Sequence, residues 1–149
     1  MYEDIEKSKR SIEKKEALNK CCIICAKAEY SICDIREKLR KWGIDCDTQN
    51  EIIEYLCENN FINEERYAEC FVSEKFRLSH WGRIKIGYAL RQKKVAEEYI
   101  SSAMEIIDEK QYFEILKQLI LSKSKGDILD FRKRASVYNF ALSRGFEAE

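Results

Sequence analysis

Apolar residues recur at spacings of three and four along most of the chain, the period of a helix with one buried face. This pattern predicts helices over residues 18–28, 32–42, 51–59, 64–76, 81–92, 96–107, 109–122 and 128–143. Local signals mark several ends. Ser31 opens the second segment as an N-cap, with Asp34 three residues on, and Gly43 suits a left-handed C-terminal turn. Thr48 and Glu51 form a capping-box pattern for the third segment. Asn63, followed by Glu64 and Glu65, reads as a cap with acids near the positive helix end.

The pattern repeats at a period of 51. Ala17, Tyr30, Ile35, Leu39 and Ile44 map onto Ala68, Trp81, Ile86, Leu90 and Val95. A further step takes four of them to Leu119, Val137, Ala141 and Phe146, and Gly43 maps to Lys94 and then Gly145. A unit of this size buries too little surface to stand alone, so neighbours must cover it. The expected fold is all-α: tandem three-helix repeats in an elongated molecule, straight or curved. The expected limits are 17–62, 63–107 and a truncated 108–149, after a charged lead-in at 1–16 that is helical or frayed. A compact bundle with fortuitous spacing is the competing arrangement.

Composition narrows the class. The 149 residues contain no proline and five glycines, too few for the turns of a sandwich or barrel. An apolar share of 45% at zero net charge argues against disorder. No uncharged apolar stretch approaches eighteen residues, and residues 1–10 lack the apolar core of an export signal, so a cytoplasmic protein without membrane contact is expected.

Catalytic and metal signals are weak. Cys22 and Cys25 have metal-ligand spacing, but no second pair follows. Cys21, Cys22 and Cys25 occupy core-like helical positions, where cysteine acts as a small apolar residue. The only histidine, His80, sits at a helix entrance among cations and suits a surface or capping role. No Walker loop or dinucleotide fingerprint is present, and the span from Gly82 to Gly87 is too sparse to cradle phosphate. The expectation is therefore a protein without cofactor, metal or catalysis.

The zero net charge hides blocks. Residues 1–44 sum to +3, 45–74 to −8, 75–96 to +7, 97–109 to −5 and 110–149 to +3. The central block holds Lys75, Arg77, Arg83, Lys85, Arg91, Lys93 and Lys94 and no acid. Such a helix attracts an anionic partner, unless adjacent acidic helices neutralise it. We take these seven as the main electrostatic surface and Arg132, Lys133 and Arg134 as a second. On a helical wheel Ile86, Ala89 and Leu90 form one apolar stripe, and Trp81, Ile84 and Tyr88 form another beside Lys85 and Arg91. The second stripe is expected to pack on a neighbouring repeat; the alternative is an aromatic patch rimmed by cations.

Residues 61–107 resemble the RecX family of recombinase regulators. The resemblance is carried by Phe61-Ile62-Asn63-Glu64-Glu65-Arg66-Tyr67-Ala68, Phe71-Val72, Gly82-Arg83-Ile84 and Leu90-Arg91-Gln92-Lys93-Lys94-Val95. Looser echoes occur at Leu39-Arg40-Lys41-Trp42-Gly43-Ile44 and Ser143-Arg144-Gly145-Phe146. Lys94 stands where the family usually has glycine, and Asn63 where it has an acid. The resemblance implies tandem three-helix repeats. It further implies a monomeric regulator that binds the RecA recombinase filament on single-stranded DNA and suppresses it, with direct DNA contact left open. Two other readings compete: a direct DNA-binding helical module, and a sensor built on the cysteines. Against the former, a recognition helix bearing Glu51, Glu54 and Glu58 would meet phosphate unfavourably.

Overall fold

The structure, a computed structural model, describes residues 1–124 and 131–148, and the side chains of these except 10–12 and 131. The described residues hold eight helices and no strand. They are α1 (Tyr2–Lys27), α2 (Ile32–Lys41), α3 (Cys46–Glu58), α4 (Glu64–Arg77), α5 (Arg83–Gln92), α6 (Glu97–Met104), α7 (Glu109–Ser124) and α8 (Phe131–Ser143). The expected start of the last helix, at 128–130, lies outside the described residues. Contacts divide the chain into two compact units, Met1–Tyr67 and Ala68–Glu149.

The charged lead-in is helical and continuous with the first core helix, so α1 starts at Tyr2 rather than near residue 18. Its opposite charges four apart, Glu3 with Lys7, favour that extension. The expected cap at Thr48 is corrected. Asp45 is the N-cap of α3, and its carboxylate accepts from the Thr48 N–H at 3.2 Å and the Thr48 hydroxyl at 2.7 Å. A carboxylate answers the positive end of a helix better than a hydroxyl does. Ser31 behaves as expected, closing a reciprocal capping box with Asp34.

Burial follows the repeat. In the first unit Ala17, Cys21, Ile35, Leu39, Ile52, Ile53, Leu56 and Ile62 form one cluster. In the second, Ala68, Val72, Ile86, Leu90, Val95, Val137 and Phe146 are buried at matching positions. The turns after α2, α5 and α8 share one geometry. Gly43, Lys94 and Gly145 have φ of 77°, 58° and 90°. The next N–H in each case, from Ile44, Val95 and Phe146, reaches back to Leu39 O, Leu90 O and Ala141 O at 3.0–3.2 Å. This is the left-handed C-terminal cap, which satisfies otherwise orphaned carbonyls. His80 also takes a left-handed φ, 56°, at the exit from α4.

The starts of α2 and α5 show how each second helix is held. The first N–H of α2, from Ile32, donates to Glu64 Oε1 at 3.1 Å, and the Tyr67 hydroxyl bonds the Ser31 and Asp34 side chains. Burial pushes the Glu64 carboxyl above its usual range, and the Ile32 N–H pulls the other way. In the second unit the Arg83 N–H donates to the Tyr112 hydroxyl at 3.1 Å. Gly82 N–H and Ile84 N–H donate to Arg144 O and Gly145 O at 2.7 and 2.9 Å. A Cβ on Gly82 would collide with the Gly145–Phe146 backbone, so the approach requires glycine. Tyr67 and Tyr112 are both the fourth residue of their helices, after the caps Asn63 and Asp108, whose side chains accept from Arg66 N–H and Gln111 N–H. These pairs lie 45 residues apart rather than 51.

Lys94 in a left-handed conformation carries strain that glycine would relieve. Lys94→Gly is expected to raise stability by about 1 kcal/mol in urea denaturation. Gly145→Ala should lower it, because the added Cβ meets the Lys85 backbone. Destabilisation by Lys94→Gly would contradict the assigned turn.

Candidate functional site

The central basic block folds as the end of α4, a turn, and α5. Its cations fall into three classes. Two are engaged by carboxylates. Arg83, with 28% of its side chain exposed, pairs with Glu109 and lies 3.6 Å from Glu147. Its guanidinium also sits 4.1 Å over the Tyr112 ring. Tyr112 in turn donates to Glu147 at 2.7 Å, and burial keeps its hydroxyl protonated. Arg91 forks onto Glu97 at 2.5 and 3.2 Å and holds that carboxyl below its usual range.

The second class lies on an aromatic ring. Lys75 Nζ stands 4.9 Å from the Trp81 ring centroid and 5.6 Å from that of Phe71, and Lys85 Nζ stands 4.3 Å from Trp81. Trp81 is thus held between two ammonium groups, each contact contributing about 0.5–1 kcal/mol at a partly exposed site. Phe71 meets Trp81 edge-on at 6.5 Å.

The remaining cations hold turns or stand apart. Lys93 closes α5, its N–H bonded to Ala89 O and Leu90 O, and Lys94 occupies the exposed left-handed turn. Arg77, at the end of α4, is exposed beside an open apolar cleft lined by Cys70, Ser73, Leu78 and Ile106. Arg132, Lys133 and Arg134 occupy the first turn of α8, exposed and separate in sequence from the α4–α5 group.

Ile84 and Tyr88 do not pack as expected, and that expectation is corrected for them, while Trp81 is half-buried against Phe71. Ile84 is 56% and Tyr88 63% exposed, while the opposite stripe, Ile86 and Leu90, is fully buried. The core of the second unit lies on the Ile86 side of α5, which leaves the other side to solvent. Spacing places Ile84, Lys85 and Tyr88 on that outer face, and Trp81, in the turn before α5, meets it through Lys85. The outcome is an apolar and aromatic patch with two lysines seated on the Trp81 ring. Lys75 was legible only as one charge of a block. Its seat on Trp81 depends on the left-handed turn at His80, which returns the chain toward α4 with Trp81 N–H bonded to Lys75 O at 2.9 Å.

Cys21 lies in the core of the first unit with Cys22, Cys25 and Cys57 packed against it, whereas Cys46 and Cys70 are exposed. Burial, with its thiol neighbours second, pushes Cys21 up to about 12, and burial pushes Cys25 up to about 11. These thiols stay protonated and are poor nucleophiles or ligands. Among the described residues no group of three His, Cys, Asp or Glu side chains could hold a metal ion. Among the described residues no helix is long and apolar enough to cross a membrane.

Comparisons with known proteins meet this geometry at the same segment. The family description "RecX, second three-helix domain" matches residues 63–104, which contain Lys75, Trp81 and Lys85. Regulatory protein RecX of Clostridium perfringens (strain SM101 / Type A) is 34% identical over 119 residues, covering 76% of this chain and 54% of the relative. The chain spans about half the length of the curated relatives it matches. A crystal structure of regulatory protein RecX superposes with a TM-score of 0.86 at 19% identity, over 99% of this chain and 74% of that one. RecX from Lactobacillus salivarius gives a TM-score of 0.78 at 22% identity, over 92% and 90%. With all-α helical repeats, a matched second three-helix domain and relatives at this level of identity, the chain belongs to the RecX family.

Proposed function

We propose that this chain is a regulator that acts by binding rather than catalysis, and that its target is the RecA-type recombinase filament on single-stranded DNA, which it restrains. The regulatory part of this reading is supported by the relatives, named regulatory protein RecX. The recombinase target follows from what membership of that family implies. A monomer working in the cytoplasm fits the same reading.

The observation that carries the proposal is the outer face of α5. Trp81, Ile84 and Tyr88 offer apolar and aromatic area, and Lys75 and Lys85 supply positive charge above it. Buried aromatic anchors with a charged surround are the usual composition of a protein-binding hot spot. The cationic charge adds attraction toward a filament that carries DNA, and so speeds encounter. Arg83 and Arg91 contribute less to that field than the sequence suggests, because Glu109, Glu147 and Glu97 offset them. A second reading, direct binding to DNA, draws on the same two lysines and would show a steep salt dependence.

Purified chain is expected to slow RecA ATP hydrolysis on single-stranded DNA at less than one copy per recombinase subunit. Changing Lys75 and Lys85 together to Glu should weaken that effect at least tenfold with helix content unchanged. Full activity of the double variant would remove this face from the interface. No effect on hydrolysis, with tight salt-sensitive binding to bare DNA, would favour the second reading. Arg83→Glu should behave differently: it repels Glu109 and Glu147 and loses the Tyr112 contact, and should cost about 1–2 kcal/mol of stability in thermal unfolding. Lys85→Glu alone loses only its contact with Trp81 and should cost no more than about 1 kcal/mol.

A further inference from the structure

The 51-residue register that aligns the buried positions also aligns two grooves. One runs between α1 and α3 in the first unit, the other between α4 and the exit of α6 in the second. Leu18 and Tyr55 line the first, and their equivalents Glu69 and Ile106 line the second. Each groove thus belongs to a complete set of three helices, where its first and third members meet. The α4–α6 set has described helices before and after it in the chain.

Both grooves present apolar side chains to solvent. Tyr55 is 43%, Ile106 42% and Leu78, at the exit of α4, 76% exposed. All three are fixed through the backbone. Tyr55 lies within α3, Leu78 N–H donates to Glu74 O at 2.9 Å, and Ile106 N–H donates to Ala103 O at 3.2 Å. A partner therefore meets them on an ordered backbone, which lowers the entropic cost of binding. The short side chains of Cys70 and Ser73 leave the second groove open beside Leu78. The two hollows measure about 300 and 510 Å³, within the range of binding clefts.

Charge selects the occupant. The first groove is lined by Glu51, Glu54 and Glu58 and by one base, Lys14, which already pairs with Glu51. The second is lined by Glu69 and Glu74 and by one base, Arg77. Glu105, the equivalent of Glu54, immediately precedes Ile106. The ion pairs among the described residues leave out Glu54, Glu58, Glu69, Glu74 and Glu105. Both grooves therefore combine an apolar wall with an acidic rim. Such a rim repels phosphate and acidic segments. A helix with one apolar face flanked by lysine or arginine matches wall and rim together, and the stems of those side chains cover apolar edge as well. We infer that the groove between first and third helices, α1 with α3 and α4 with α6, is a docking site for a basic amphipathic helix of a partner protein. The inference does not rest on the recombinase reading, which uses the outer face of α5.

The probe is a synthetic amphipathic helix of leucine and lysine, titrated into the intact chain by isothermal calorimetry, with a scrambled peptide of the same composition as control. Two peptides per chain are expected for the first and no saturable binding for the second. Tyr55→Ser with Glu58→Lys should remove one of the two sites, and Leu78→Ser with Ile106→Ser the other. Glu69→Lys with Glu74→Lys should weaken the second site at least tenfold and flatten its salt dependence. All these positions are exposed, and circular dichroism checks that each variant keeps its helices. No saturable binding, equal binding of the scrambled peptide, or a stoichiometry unchanged by either pair would overturn the inference. One peptide per chain would overturn it for the groove whose variant leaves binding intact. Self-association of the chain that disappears in the same variants would assign the grooves to a second copy and overturn the partner.

Discussion

A helix begins with backbone N–H groups that have no partner within it, and this fold is organised by where those donors go. At α2 the Ile32 N–H goes to Glu64 in the first turn of α4, beside the buried Tyr67. At α5 the donors of Gly82, Arg83 and Ile84 go to Arg144 O, the Tyr112 hydroxyl and Gly145 O. In both cases the helix is completed by the first turn of the helix two places on, α4 for α2 and α7 for α5. In the second unit the C-terminal turn of α8 adds its carbonyls, so that a negative helix end meets a positive one. Left unpaired in a half-buried place, each such group would cost about 1–3 kcal/mol. The arrangement therefore holds α2 and α5 through backbone groups as well as through apolar burial.

This constraint also positions the proposed binding face. Gly82 can approach the 145–146 backbone only because it lacks a Cβ. That contact anchors the start of α5 just after Trp81. Ile86 and Leu90 then turn inward, Ile84 and Tyr88 are left outside, and Trp81 and Lys85 stay half-buried at the edge. Arg83, which immediately precedes Ile84, is directed to Tyr112, Glu109 and Glu147 and becomes part of the scaffold. A block of seven cations without an acid is thereby sorted into structural and available members. Their difference is set by carboxylates that lie outside the block in sequence.

Much of the helical framework is legible from local signals. The Ser31 box, the Asn63 cap and the left-handed residues at 43, 94 and 145 follow from chemistry within a few residues. The 51-residue register identifies the buried positions of the second helices because their turns share one geometry. The 45-residue spacing of Asp108 and Tyr112 escapes that register, since Tyr112 precedes Val137 by six residues more than Tyr67 precedes the equivalent Ile86. Asp45 takes the cap in place of Thr48 because its carboxylate accepts from the Thr48 N–H and hydroxyl, which places Thr48 inside the helix. The exposure of Ile84 and Tyr88 was not readable, since an apolar stripe has the same spacing whether or not a neighbouring helix covers it. The partners of Arg83 and Arg91 depend on how the turns bring distant acids near, which charge counting alone does not reveal.

The central claim is that the fold depends on tyrosine and backbone acceptors at the start of the second helix. Tyr112→Phe tests it most directly, because it removes one hydroxyl and leaves the ring that stacks on Phe76 at 5.8 Å. Amide hydrogen exchange with equilibrium denaturation on this variant should show a loss of about 1–3 kcal/mol and faster exchange at Arg83, with the amides of α2 unaffected. Unchanged stability and unchanged protection at Arg83 would contradict the account.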